Sequence, residues 1–260
     1  TYYHNNYIKI IKGVRRVGKT TLINEVIEEL KESVDSDHII KIDYDMFDNN
    51  IYTNTTHLVN YFKNCIKDNN MYYIFIDEVQ NINEYDKIVA FICLSFNVSM
   101  FITGSNLDID NAKYIEKYND YITITMYPYL YNELDMTRDE YLLWGGIPSI
   151  LNLKENYMKT SSIIDLYNSI VVKDIVDRYS VKDVALFNKM IYYILSNIDV
   201  PFSVNNMAKY FETYDRKVSL DTMYNYLDYI IDEYFSHVEE VEKLLKGKIS
   251  DVIDSLKEKM

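Results

Sequence analysis

At 260 residues with 48% apolar content, the chain is long enough for one large or two modest domains, each with its own core. Its formal net charge of −13 divides into −6 over residues 1–130 (12 basic, 18 acidic) and −7 over residues 131–260 (15 basic, 22 acidic), so neither half is a basic nucleic-acid footprint. No apolar run approaches the roughly 18 residues of a membrane span, and the two cysteines and four histidines are too scattered for a disulfide framework, a metal cluster or a histidine-based nucleophilic centre.

Taken in chain order, the apolar run Tyr7–Lys12 predicts a first strand, followed at once by Gly13-Val-Arg-Arg-Val-Gly18-Lys19-Thr20. Glycines at both ends let the backbone N–H groups of Gly13, Val14, Arg15, Arg16, Val17 and Gly18 fold around a polyphosphate, and the following helix adds its positive N-terminal dipole. Lys19 then reaches the terminal phosphates, while Thr20 offers a hydroxyl to Mg²⁺. Arg15 and Arg16 read equally as phosphate contacts or as solvated arginines on a turn. The helix predicted over Thr20–Leu30 presents Leu22, Ile23, Val26, Ile27 and Leu30 as one stripe. A strand at Ile39–Asp43 and a helix around His57–Lys67 come next.

The run Met71–Ile76 ends in Asp77-Glu78, as a buried parallel strand with acids at its carboxyl edge would. Coupled to the loop upstream, Asp77 is expected to hold Mg²⁺ and Glu78 to polarise the water that attacks the γ-phosphate. A helix is predicted over Tyr85–Ser95, with Ile88–Leu94 as its buried face. A strand over Val98–Thr103 follows, and the small polar groups of Thr103-Gly104-Ser105-Asn106 at its end read equally as contacts to the γ-phosphate or its water and as a polar turn. After a polar connection, Tyr121–Met126 is the fifth strand. Five strands alternating with helices predict an α/β three-layer sandwich with a mainly parallel sheet.

After Pro128 the pattern turns helical, with helices expected at Thr137–Leu143, Ser161–Asp177, Lys182–Asn197, Val204–Glu212, Leu220–Val241 and Ile249–Lys259. The turn Trp144-Gly145-Gly146-Ile147-Pro148 separates the first two. The pair beginning at Val204 and Leu220, with Ser203 and Ser219 as caps, has the proportions of a helix-turn-helix or winged helix. Its second helix carries Asp221, Asn225 and Asp228, with only Arg216 and Lys217 basic nearby, which disfavours DNA as a partner. The expected division is 1–130, 131–236 and a charged C-terminal helix over 237–260.

Three segments, Lys9–Leu22, Ile74–Gln80 and Phe101–Asn106, resemble the prokaryotic AAA-type P-loop ATPases that carry a C-terminal domain of unknown function. Tyr141–Pro148 is similar to that family's Gly-Gly-x-Pro turn, Leu166–Tyr179 to its central helix and Ser219–Leu227 to its winged-helix segment. The resemblance implies a strand order 2-3-4-1-5 with the Asp77 and Thr103 strands adjacent, and ATP with Mg²⁺ as ligands. It implies that Gly13, Gly18, Lys19, Thr20 and Thr21 bind phosphate and metal, that Asp77 binds metal, that Glu78 is the base and that Ser105 or Asn106 senses the γ-phosphate. Gln80 matches too, without an assigned role.

The chain departs from the family pattern in two places. Asn119-Asp120-Tyr121 stands where relatives have Gly-Arg-Tyr, which leaves Arg178 as the remaining arginine candidate, and the likeness fades after Ile231, as in a shortened member or a fragment. The expected activity is an ATP-hydrolysing conformational switch in the cytoplasm, acting with a protein partner or as a homo-oligomer whose neighbour lends an arginine. The alternatives are a nucleotide-binding but catalytically idle interaction module and a DNA-binding winged-helix regulator.

Overall fold

The computed structural model describes residues 3–44, 55–105, 112–118, 120–197 and 203–231, and the chain divides into two compact units, Thr1–Ile163 and Ile164–Met260. The first unit holds a five-stranded sheet of β1 (Ile8–Lys12), β2 (Ile39–Asp43), β3 (Tyr72–Asp77), β4 (Val98–Gly104) and β5 (Tyr121–Thr125), in the order β2-β3-β4-β1-β5. All four strand pairings are parallel. The expected strand order, with β3 beside β4, is the observed one.

Parallel strands covered on both faces read as unbroken apolar runs, and β3 and β4 are buried at every position. On one face, Ile8, Ile10, Ile74, Ile76, Met100 and Ile102 pack with Leu58 and Phe62 of helix α2 (Thr55–Cys65) and with Ile88, Val89 and Ile92 of α3 (Tyr85–Ser95). On the other, Ile11, Tyr73, Phe75 and Phe101 meet Ile23, Val26, Ile27 and Leu30 of α1 (Lys19–Lys31). The period of two along the strands thus sorts side chains into two cores and gives three layers. The expected buried face of α3 is only partly buried, because Phe91 and Leu94 are exposed. Within the stretch expected as a polar connection, a short helix α4 (Lys113–Tyr118) precedes β5.

Beyond β5 the first unit continues through α5 (Arg138–Trp144), α6 (Pro148–Leu151) and the start of α7 (Asn156–Ser169). Thr137 caps α5 in a reciprocal box with Glu140. The Gly145-Gly146 turn has a steric reason: a Cβ on Gly146 would lie 1.9 Å from the Tyr129 carbonyl oxygen, and Tyr129 N–H donates to the Gly146 carbonyl at 2.8 Å.

The described part of the second unit is helical: the end of α7, a π-helical stretch Ile170–Asp177, α8 (Val184–Leu195), α9 (Val204–Tyr214) and α10 over 220–231. The helix expected over Ser161–Asp177 therefore begins earlier, at Asn156, and its second half is π-helical. Its core gathers Val171, Ile175, Phe187, Met190, Met207, Phe211, Met223 and Tyr226. Ser219 caps α10 through the Thr222 N–H at 3.2 Å, whereas Ser203 occupies the N-cap of α9 with no side-chain bond, contrary to expectation. Among the described residues of this unit no strand is present. The expected C-terminal helix at Ile249–Lys259, like all of 237–260, lies outside the described residues.

Candidate functional site

The carboxyl ends of β1, β3 and β4 lie side by side, because Lys12 is in register with Gly104 and Ile76 with Ile102. The Gly13–Gly18 loop, the Asp77-Glu78 pair and Ser105 therefore converge at one edge of the sheet. In open α/β sheets ligands bind outside this edge.

The loop has the backbone its sequence demands. Gly13 and Gly18 have φ of 153° and 108°, and a Cβ on Gly13 would meet the Met126 carbonyl oxygen at 2.3 Å, so the backbone just after β5 enforces glycine there. Arg16 adopts the left-handed conformation at φ 65°. Its guanidinium donates to the carbonyl and hydroxyl oxygens of Ser162 at 2.9 and 2.7 Å, which directs this arginine to α7. Val17 is buried and its N–H reaches the Val14 carbonyl at 3.4 Å, whereas Thr20 and Thr21 stand exposed in the first turn of α1.

Lys19 is 4% exposed and unites the site. Its ammonium donates to the carbonyl oxygens of Gly13 at 2.8 Å and Val14 at 3.2 Å and lies 3.8 Å from Glu78 Oε1. Glu78 is nearly as buried and left-handed at φ 55°, the position from which the chain leaves β3 and enters the 3₁₀ turn Val79–Asn81. Its N–H donates to Thr103 Oγ1 at 3.0 Å, and the same hydroxyl donates to Asp77. The buried Thr103 on β4 thereby orients both acids of β3. Gln80 donates from Nε2 to Glu78 Oε2 at 2.5 Å and to Ser105 Oγ at 3.3 Å.

Of the expected site residues, the loop, Lys19, Asp77, Glu78 and Ser105 are thus brought together, and Asn106 lies outside the described residues. Arg178 belongs to the second unit, its guanidinium 5.3 Å from the Tyr179 ring centre. Sequence reasoning counted Thr103 among the small polar groups at the strand end but missed that it bonds Asp77 and the Glu78 N–H, and it matched Gln80 without a role. For Thr103 the available signal was a hydroxyl two residues before Ser105. Asp77 and Thr20 are hard oxygen donors of the kind Mg²⁺ takes, with nucleotide phosphates completing its shell, so the residues fit that ion. Among the described residues no group of three or more His, Cys, Asp or Glu could hold a metal on protein ligands alone.

Residues 5–134, half of the chain, match a family model described as an AAA domain. The chain belongs to this AAA domain family. Residues 135–249 match a second model, described as Domain of unknown function (DUF8612). In sequence, this AAA protein is 24% identical over 259 residues to an uncharacterized protein of Haemophilus influenzae, covering 94% of the chain and 64% of that relative. It is 27% identical over 252 residues to the uncharacterized protein MJ1544 of Methanocaldococcus jannaschii, covering 88% of the chain and 55% of the relative. The chain thus spans between half and two thirds of the lengths of these two relatives. Among solved structures, Cdc6p of Pyrobaculum aerophilum aligns at a TM-score of 0.35 and 15% identity, over 51% of this chain and 43% of that one. The Drosophila ORC bound to AT-rich DNA and Cdc6 aligns at 0.34 and 11%, over 74% and 76%. No helix among the described residues is long and apolar enough to cross a membrane.

Proposed function

We propose that the chain binds ATP at the β1–α1 loop and hydrolyses it, and that the presence of the γ-phosphate is the signal the protein uses to switch conformation. The observation that carries the reading is the buried line from Lys19 to Glu78, at 3.8 Å, with Asp77 held beside it by Thr103. A loop lysine, a metal-type acid and a base-type acid on adjacent strand ends are the parts that phosphoryl transfer to water requires.

In this reading the loop N–H groups and Lys19 bind the phosphate chain, and Lys19 exchanges its carbonyl partners for terminal phosphate oxygens. Thr20 and Asp77 would hold Mg²⁺ carried in with the nucleotide, and the ion would neutralise phosphate charge there. Glu78 accepts a proton from water as the water oxygen bonds to the γ-phosphorus and the bond to the β–γ bridging oxygen breaks, leaving ADP and phosphate. Ser105 is placed to donate to a γ-phosphate oxygen. Arg16 ties the loop to α7 through Ser162, which supports a route from nucleotide occupancy to the helices that follow.

The deciding comparison is ATP binding and turnover in wild type, Glu78→Gln and Lys19→Ala. Glu78→Gln is expected to bind ATP and lose turnover by about 10²–10⁴-fold, and Lys19→Ala to lose binding. Wild-type turnover in Glu78→Gln would sink the reading.

A second reading, an idle nucleotide-binding module, rests on the sequence departure at Asp120, an exposed acid where relatives carry an arginine. Its carbonyl accepts the Ile8 N–H at 3.0 Å at the amino edge of the sheet, so residue 120 does not border the nucleotide loop. Saturable ATP binding without turnover above the Lys19→Ala control, at any protein concentration, would establish it. A specific activity that rises with concentration would instead indicate an arginine lent by a second copy or a protein partner. A DNA role is opposed by the pairing of Arg216 with Asp183 and of Lys217 with Glu212 at 3.7 Å, which commits the basic residues between α9 and α10 to acids of the same unit. Retention of a DNA probe at moderate salt would reverse that judgement. Two partly buried free thiols, Cys65 and Cys93, fit a reducing, cytoplasmic setting.

A further inference from the structure

The Gln80 amide connects the two acceptors on which the proposed chemistry depends. It sits in the 3₁₀ turn that follows β3, and the left-handed Glu78 swings the chain so that residue 80 returns over the ends of β3 and β4. An amide nitrogen carries two hydrogens in a fixed plane. Here one is given to Glu78 Oε2 at 2.5 Å and the other to Ser105 Oγ at 3.3 Å. The amide oxygen, by contrast, is buried and accepts from none of the described residues. An unmet buried acceptor costs stability. A fold that held Gln80 only for packing would lose nothing by placing an apolar side chain there. Holding the amide in this orientation is explained by what its nitrogen does.

We propose that Gln80 is a positioning residue that couples Ser105 to Glu78, so that contact between Ser105 and the γ-phosphate is transmitted to the carboxylate that activates water. Ser105 Oγ accepts from Gln80 and retains its own proton for a phosphate oxygen. Donation to an anion makes that oxygen a stronger acceptor, which draws the amide nitrogen toward Ser105 and moves with it the Glu78 carboxylate bonded to the same nitrogen. The catalytic carboxylate is thereby aligned when ATP, rather than ADP, is present. This inference rests on the ATPase reading above.

The test is a mutant cycle over Ser105, Gln80 and Glu78 with Mg·ATP and Mg·ADP as probes. Gln80→Met keeps length and removes both donors, and is expected to lower kcat about ten- to a hundredfold with KM for ATP changed less than about threefold. Ser105→Ala should do the same. The double variant should lose no more than the worse single, and in a Glu78→Gln background Gln80→Met should change the residual rate by less than about twofold. Gln80→Asn, which keeps the amide but cannot span both partners, is the second variant and should show the same pattern at smaller size. Losses that multiply, or a kcat unchanged in Gln80→Met, overturn the coupling. If wild type turns over no ATP beyond Lys19→Ala, it is the ATPase reading that fails. The coupling is then decided by the ratio of ADP to ATP dissociation constants. Gln80→Met and Ser105→Ala should each lower that ratio, and the pair no further; an unchanged ratio in Gln80→Met overturns it.

Discussion

The two units use polar side chains for different ends. At the carboxyl edge of the first unit's sheet, Lys19, Asp77, Glu78, Thr103, Gln80 and Ser105 are bonded chiefly to one another and to loop carbonyls, in a place where burial makes each such bond consequential. In the second unit the polar groups finish helices and pair on the surface: Asp183 caps α8 through the Leu186 N–H at 3.0 Å and holds Arg216, and Lys189 meets Asp215 at 2.8 Å. The core of that unit is packed from aromatic rings and methionines, with Phe187 edge-on to Tyr226 and Tyr179 stacked on Tyr229 at 4.3 Å. In the proposed function the buried, mutually bonded polar groups at the sheet edge carry the chemistry. Capping and exposed pairing carry stability.

The sharpest way to break that contrast is to show that a polar residue at the sheet edge can be removed without loss of function. The largest expected effect is therefore in Glu78→Gln, read as kcat, with a fall on the order of a thousandfold and an unfolding midpoint near that of wild type. Next is Phe187→Ala in the second unit. Phe187 is fully buried, and its truncation should cost about 3–5 kcal/mol of stability. Measured by denaturant unfolding alongside ATP titration of the folded fraction, it should leave ATP affinity unchanged, and a parallel loss of affinity would refute the separation. Gly146→Ala comes third: the added methyl must displace the Tyr129 carbonyl, which should destabilise the first unit by about 2–3 kcal/mol, seen as an earlier thermal transition.

The same contrast explains what the sequence made legible. Strands buried on both faces announce themselves as apolar runs, and the glycine-framed loop and the acids after Ile76 sit at strand ends, so the sheet and most of the candidate site were readable, while the strand order was implied by the family resemblance alone. What escaped depends on contacts distant in sequence or on backbone detail. Thr103 gains meaning only once β4 lies beside β3, and Arg16 could not be tied to Ser162 without the fold. The π-helical stretch Ile170–Asp177 keeps an apolar stripe that an α-helix would also show, so periodicity does not separate the two. Residues 156–160 have no apolar stripe to mark the start of α7. Ser203 has the right residue type for a cap but no bond, because composition at an N-cap position does not fix the side-chain rotamer.

A smaller effect is expected at Asp183, where the Leu186 N–H, and after it Arg216, hold the carboxyl below its ordinary range. A lowered folded value means stability that is present above the unfolded carboxyl range and lost as pH falls through the folded value. Asp183→Ala should cost about 1 kcal/mol at neutral pH, the usual size of a lost cap, and the gap to wild type should close in acid. Asp183→Asn, which can still accept from Leu186 N–H, should recover most of it. A gap that stayed constant with pH would assign the cost to packing.

The smallest effect tests the one buried charge among the described residues that lies away from the site. Lys9, on β1, is 2% exposed, and its ammonium donates to Asn5 O and Oδ1 and to Ser99 Oγ at 2.9, 2.6 and 2.8 Å. Burial pushes its pKa down to about 8 from the usual 10.5. The folded protein therefore releases this proton before the unfolded chain does. Between about pH 8 and 10.5 the unfolded state binds more protons, so stability should rise with pH there, the same sign as for the Asp183 carboxyl but in an alkaline window. Cys93, pushed up to about 12 by burial, remains a thiol throughout and does not blur the window. Compared with Lys9→Met, wild type should gain ~1 kcal/mol between pH 8 and pH 9 in denaturant unfolding, a difference in which titrations common to both proteins cancel. ATP affinity should be the same in both. A wild type that lost ground to the variant across this range would mean that the three hydrogen bonds favour the charged lysine more than burial opposes it, and that a buried polar cluster away from the sheet's carboxyl edge is stabilising in its own right.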